Sequence, residues 1–134
     1  MLEPNDKLSI IDLYRAYNKS IDESDPSAWA DTFTADGVFA HPVREYRGRA
    51  ELESFVKERS EKLPAHPVME QQHWNDEIRL EGGSGEATGG CAVLVVGVDR
   101  ATGKLAIVVH GLYQDELVKV NSSWRFRSRA LRVL

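Results

Sequence analysis

The sequence predicts an α+β fold, with about three N-terminal helices packed on the concave side of a curved, mostly antiparallel sheet. Three observations carry this. Apolar residues recur at helical spacing in the first half, at Ile10, Leu13, Tyr14, Tyr17 and Ile21 and again at Leu52, Phe55, Val56 and Leu63. Beyond Pro67 the period changes to two, over four runs long enough to be strands. Short turn sequences separate those runs: Gly82-Gly83-Ser84-Gly85, Asp99-Arg100-Ala101-Thr102-Gly103 and Asn121-Ser122.

The first helix covers residues 7 to about 24. Asn5 or Asp6 suits its N-cap, and Asp25-Pro26 ends it, because the residue before a proline is pushed out of the helical region. Tyr17 lies near the centre of the apolar stripe and points toward a core or cavity. Asp22 lies off the stripe in the last turn, where an acid opposes the helix dipole, so local helix stability does not explain it. Pro26 fits the first turn of a short second helix carrying Trp29 and Phe33. Residues 34–37 read as a turn, residues 38–41 as a short strand stopped by Pro42, and Tyr46 as part of another short strand. A third helix runs from Gly48 to about residue 62, with Arg59 joining its buried stripe through its stem and Pro64 closing it. Four long strands follow, at about 68–80, 86–98, 104–120 and 123–134. The chain reads as one domain over 1–134.

The composition narrows the function. A net charge of −4 argues against nucleic acid, which requires a concentrated basic surface. One basic cluster exists, at Arg125, Arg127, Arg129 and Arg132, and strand alternation puts the first three on one face, either solvated or walling an anionic pocket. Cys91 is the only cysteine, so no intrachain disulfide is possible, and its apolar neighbours make it a small buried hydrophobe. No run has the apolar length of a bilayer span, and the first residues lack the basic and apolar regions of a signal peptide. A soluble cytoplasmic protein is expected, with no membrane and no nucleic-acid partner.

The most informative stretch is His73-Trp74-Asn75. On a strand, His73 and Asn75 share one face and Trp74 takes the other, and an imidazole beside an amide suits a pocket wall better than a sealed core. The series Tyr17, Ile21-Asp22, Asp25, Trp29, Phe33-Thr34-Ala35-Asp36-Gly37-Val38-Phe39 and Arg47-Gly48 resembles the SnoaL-like branch of the nuclear transport factor 2-like superfamily. So do His73-Trp74-Asn75, Gly111-Leu112-Tyr113-Gln114-Asp115 and Trp124-Arg125-Phe126 through Arg129. The resemblance covers nearly the whole chain in the expected order. It implies a cone-shaped α+β barrel whose curved sheet has about five or six strands.

Because this fold hosts many activities, function is read from the site. The motifs are most similar to those of the lyase-type members: scytalone dehydratase, bile-acid 7-dehydratase and hexachlorocyclohexane dehydrochlorinase. Their resemblance implies a His–Asp pair, placing Asp22 at the end of the first helix and His73 on the first long strand. It also implies a site tyrosine at Tyr17 and a last-strand arginine at Arg129. Polyketide cyclases of the family use a late-strand aspartate, for which Asp115 is the counterpart.

The chemistry fits those residue types. A carboxylate on one ring nitrogen fixes the tautomer of His73 and stabilises the imidazolium formed when the other nitrogen takes a proton. Tyr17 can donate to a carbonyl oxygen or a leaving hydroxyl. Substrate contacts are expected from Asn75, Arg129 and His110, and from the apolar groups Phe39, Phe55, Met69, Val93 and Leu112. Tyr17 equally suits a half-buried core position, and His110 suits either a pocket wall or a satisfied core site. Trp29, Phe33 and Trp124 read as core, and His41 and His66, each before a proline, as exposed turn residues. No histidine pair has zinc spacing, and the glycines at 82, 83 and 85 serve a turn, so neither a metal nor another cofactor is expected. The expected function is a cofactor-independent lyase or isomerase, of dehydratase type, for a small steroid-, polyketide- or aromatic-like compound. The alternatives are a polyketide cyclase-type enzyme, a non-catalytic pocket and an interaction subunit. In each case a homo-oligomer, dimer or trimer, is expected to cover the open sheet.

Overall fold

A computed structural model of the protein describes residues 1–134. Helix α1 (Pro4–Asp22) starts earlier than its apolar spacing indicates, because Pro4 at the first position is already shaped for a helix and Glu3 takes the cap. Its buried stripe is Ile10, Leu13, Tyr14, Tyr17, Ser20 and Ile21. Helix α2 (Pro26–Ala30) is capped by Asp25, whose carboxylate accepts from the Ala28 N–H at 3.1 Å. It buries Trp29 completely and ends before Phe33.

Phe33 instead opens strand β1 (Phe33–Ala40), so residues 34–37 are not a free turn. They bulge out of the ladder: Phe33 pairs with Phe126 and Val38 with Ser128, leaving four residues of β1 opposite one of the partner. Strand β2 (Glu45–Arg47) folds back on β1, and α3 (Gly48–Lys62) follows, burying Leu52 and Val56. A single 3₁₀ turn, Leu63–Ala65, leads to the long strands β3 (Val68–Gly83), β4 (Glu86–Asp99), β5 (Leu105–Val120) and β6 (Ser123–Val133). The connection between β5 and β6 has Asn121 and Ser122 both at positive φ, the conformation that matches the twist of a two-residue hairpin.

The six strands form one open, curved sheet in the order β2-β1-β6-β5-β4-β3, with only β1 and β6 parallel. Its curvature is built by bulges. On β3 the register slips between Met69 and Gln72, where Glu70 has φ +54°, and again between Asp76 and Arg79, where Glu77 has φ +55°. Gly97 lies against the first of these; a Cβ there would sit 2.4 Å from the Met69 carbonyl oxygen. On β6 the extra residue is Arg127, between Phe126 and Ser128. The core joins the stripe of α1, Trp29 of α2 and the inner sheet residues Phe33, Phe39, Cys91, Val95, Leu117 and Phe126. No helix is long and apolar enough to cross a membrane.

Candidate active site

The bulge at Glu70 decides which way His73 faces. Val68 is buried before it, and after it the odd-numbered residues Gln71, His73 and Asn75 turn inward while Trp74 is left 60% exposed. β3 is also an edge strand, so part of its backbone has no strand neighbour. The last residue of α1 fills that need. The Asp22 carboxylate accepts the His73 backbone N–H at 3.1 Å from each oxygen, and its Oδ1 lies 2.7 Å from His73 Nδ1. The acid that works against the helix dipole is thus the clamp that ties α1 to the sheet.

This clamp sets the imidazole. Nδ1–H donates to Asp22, so Nε2 carries the lone pair, and it has no protein partner. Burial pushes the His73 pKa below its usual value, against the opposing pull of Asp22. The ring is therefore neutral at neutral pH, in the form that accepts a proton.

His73 lines a cavity of about 370 Å³ between the sheet and the helices. Its apolar walls include Ile21, Phe39, Phe55, Val95, Val109 and Leu131. Tyr17 and Tyr113 share one side, their hydroxyl oxygens 3.3 Å apart. Burial raises the pKa of both, so both remain proton donors; for Tyr17 the positive charge of Arg129 offsets part of the effect. Arg59 of α3 reaches the same cavity, its guanidinium donating to the Ile21 carbonyl and the Gln71 side-chain oxygen, each at 3.2 Å.

The structure thus brings together Tyr17, His73 and Asp22, with Phe39 and Phe55, and places the other expected residues elsewhere. Asn75 faces inward but is spent on structure: it accepts from the Asn18 amide at 2.7 Å and donates to the Ala92 carbonyl at 3.2 Å. Arg129 is fully buried beneath the cavity and is not one of its walls. The bulge at Arg127 turns Arg129 into the core while Arg127 stays exposed, so the three arginines do not share a face. There Arg129 meets Asp115 through two bonds, at 2.8 and 3.0 Å, and Asp115 also accepts the Tyr14 hydroxyl at 2.5 Å. The guanidinium lies against the rings of Tyr14, Tyr17, Tyr113 and Phe126.

Of the others, His110 is exposed on the outer face of β5, opposite Leu94. Met69 is half-buried near Arg100, Val93 is sealed in the core, and Leu112 lines a separate groove with Arg79 and Arg132. Each lies on a strand that reaches the cavity, but at a level or on a face that does not. His41 and His66, in contrast, are not simply exposed. Both are half-buried at the cavity lining, and each accepts a backbone N–H on Nδ1, His41 from Val43 at 3.1 Å and His66 from Val68 at 2.9 Å. Arg59, Gln71 and Tyr113 are the site residues that spacing did not single out. The one usable signal was a charged residue on the buried stripe of α3.

Three helices packed on an open, curved, mostly antiparallel six-stranded sheet form the nuclear transport factor 2-like architecture. The chain belongs to the SnoaL-like domain family, whose profile matches residues 3–130. Among curated proteins, none matches the sequence. Among solved structures, it is similar to a variant of Rv3472, described as a function unknown protein from Mycobacterium tuberculosis. That match has a TM-score of 0.88 and 29% identity, over 98% of this chain and 78% of the other. ActVI-ORFA from Streptomyces coelicolor matches with a TM-score of 0.83 and 25% identity, over 95% of this chain and 93% of the other. A proposed scytalone dehydratase from Novosphingobium aromaticivorans shares the fold, with a TM-score of 0.78 and 23% identity over 96% and 83% of the two chains.

Proposed function

We propose that the protein is a cofactor-independent lyase or isomerase of dehydratase type, acting on a small, largely apolar carbonyl or hydroxylated compound. The observation that carries this reading is the Asp22–His73 contact, which leaves Nε2 unpartnered at the cavity wall. In the proposed reaction, Nε2 takes a proton from the carbon next to a carbonyl, and Asp22 holds the resulting imidazolium. The hydroxyls of Tyr17 and Tyr113 donate to the oxygen on which negative charge develops. For a β-hydroxy compound the imidazolium then returns its proton to the departing hydroxyl, and water leaves; without a leaving group the same steps give isomerisation. Membership of the SnoaL-like family and the likeness to a proposed scytalone dehydratase are consistent with this. A cyclase-type reaction through Asp115 has less support, because that carboxylate is taken by Arg129 and Tyr14 and is not at the cavity.

Exchange of the α-protons of 1-tetralone in heavy water, followed by proton NMR, tests the proposal. Catalysed exchange is expected from the protein, with a His73→Ala loss of roughly 10²–10⁴-fold. Its rate should fall on the acid side through an apparent pKa below the usual histidine value, because burial disfavours the charged ring. Undiminished exchange in His73→Ala would remove His73 from the chemistry and leave a binding pocket.

The reading includes a homo-oligomer in the cytoplasm. Trp74, Leu94 and Ile107 are exposed on the outer face of the sheet, Trp74 directly paired with Leu94. Light scattering should give a dimer or trimer mass; a monomer would contradict it.

A further inference from the structure

Arg59 brings a cation to the cavity lining. Its guanidinium makes no ion pair; two of its five N–H groups bond neutral acceptors, Ile21 and Gln71, and the other three find no protein acceptor. A half-buried cation without a carboxylate is costly to keep. Asp22 is near enough to favour its charge, but the oxygens of that carboxylate bond His73 and neither reaches the guanidinium.

The surroundings have the same sign. Lys62 lies one turn along α3 from Arg59 and adds a second positive charge to the cavity lining. The one acid in the lining is Glu58, which accepts from Ser54 on the exposed side of the helix. In a protein with net charge −4, the cavity lining thus carries two cations, Arg59 and Lys62, against one acid. The same lining holds the rings of Phe39, Tyr46 and Phe55, the last one turn before Arg59 on α3, packed edge to face with centroids 5.0 Å apart for Phe39–Phe55 and Tyr46–Phe55. Such walls suit a flat apolar body.

We infer that the ligand of this cavity is an aromatic carboxylate, whose anionic group pairs with Arg59 while its ring system lies against Phe39, Tyr46 and Phe55. The inference rests on the cavity being the substrate site and narrows the substrate to an acid. Guanidinium and carboxylate match as a planar, two-bond pair, which an amide of the same shape cannot reproduce.

Isothermal titration with 2-naphthoate and its neutral counterpart 2-naphthamide, at about pH 8 where histidine is uncharged, tests this directly. The wild-type protein should bind the acid at least about tenfold more tightly than the amide. Arg59→Gln should abolish that preference with amide affinity retained, and Arg59→Lys should keep part of it. Equal affinities, no measurable binding of naphthoate, or an unchanged preference in Arg59→Gln would each overturn the inference. The outcome separates from that of proton transfer. An acid preference in a protein that fails the tetralone exchange leaves an anion-binding pocket without chemistry, whereas exchange without acid preference removes only the role given to Arg59.

Discussion

Asp22→Asn is expected to lower the rate of catalysed proton exchange by about 10²–10⁴-fold while leaving the fold in place. The carboxylate has two duties: it accepts the His73 backbone N–H with both oxygens and the Nδ1–H with one. The introduced amide keeps one acceptor, enough for the backbone bond, but its NH₂ group would face either the ring nitrogen or the backbone donor. If it donates to Nδ1, the ring must carry its proton on Nε2, and the nitrogen at the cavity is no longer a base. Loss of one charge-assisted bond costs about 1–3 kcal/mol. A large loss of rate with a small loss of stability is therefore the signature of a positioning residue. An equal rate in Asp22→Asn would show that the contact ties α1 to β3 and does nothing further.

The largest effect on stability is expected at Asp115. Asp115→Asn leaves Arg129, which is 0% exposed, without its ion-pair partner among four aromatic rings. Breaking a buried pair from one side costs about 3–5 kcal/mol. For a chain of this size that lowers the melting temperature by roughly 10–20 °C. Replacing both partners together, Asp115→Leu with Arg129→Met, should cost much less, because no buried charge is left uncompensated. Differential scanning calorimetry of the single and double variants checks this; a single-variant loss no larger than that of the double would contradict it. Tyr17 and Tyr113 lie on the Arg129 guanidinium, at 4.4 and 3.7 Å from ring centroid to carbon, so the same pair supports the cavity wall.

What the sequence disclosed follows from where its signals are local. Asp22 stood out because an acid at a helix C-terminus lacks a local reason, and His73 because strand alternation set it apart from Trp74. Both signals survive folding, since α1 runs to Asp22 and β3 is regular from Gln72 to Asp76, between its two bulges. Two errors come from bulges. One inserted residue at Arg127 reverses the faces of β6, which moved Arg129 from an expected cavity wall to the core. Residues 34–37 carry turn chemistry and are used to bulge β1 rather than to end a helix. Asn75 was placed on the correct face, but its partner Asn18 comes from another element, which spacing within one strand does not contain. Arg59 was read for its stem alone; only the packing of α3 over the sheet shows that its head enters the cavity.

The central claim is that Asp22 holds His73 as a neutral base with its lone pair toward the cavity. The ¹⁵N chemical shifts of the His73 ring in the wild-type protein, followed across neutral pH, test it without any substrate. The account predicts a proton on Nδ1, an unprotonated Nε2, and a transition to imidazolium only below the ordinary histidine range. A proton on Nε2, or a ring already charged at neutral pH, would contradict it.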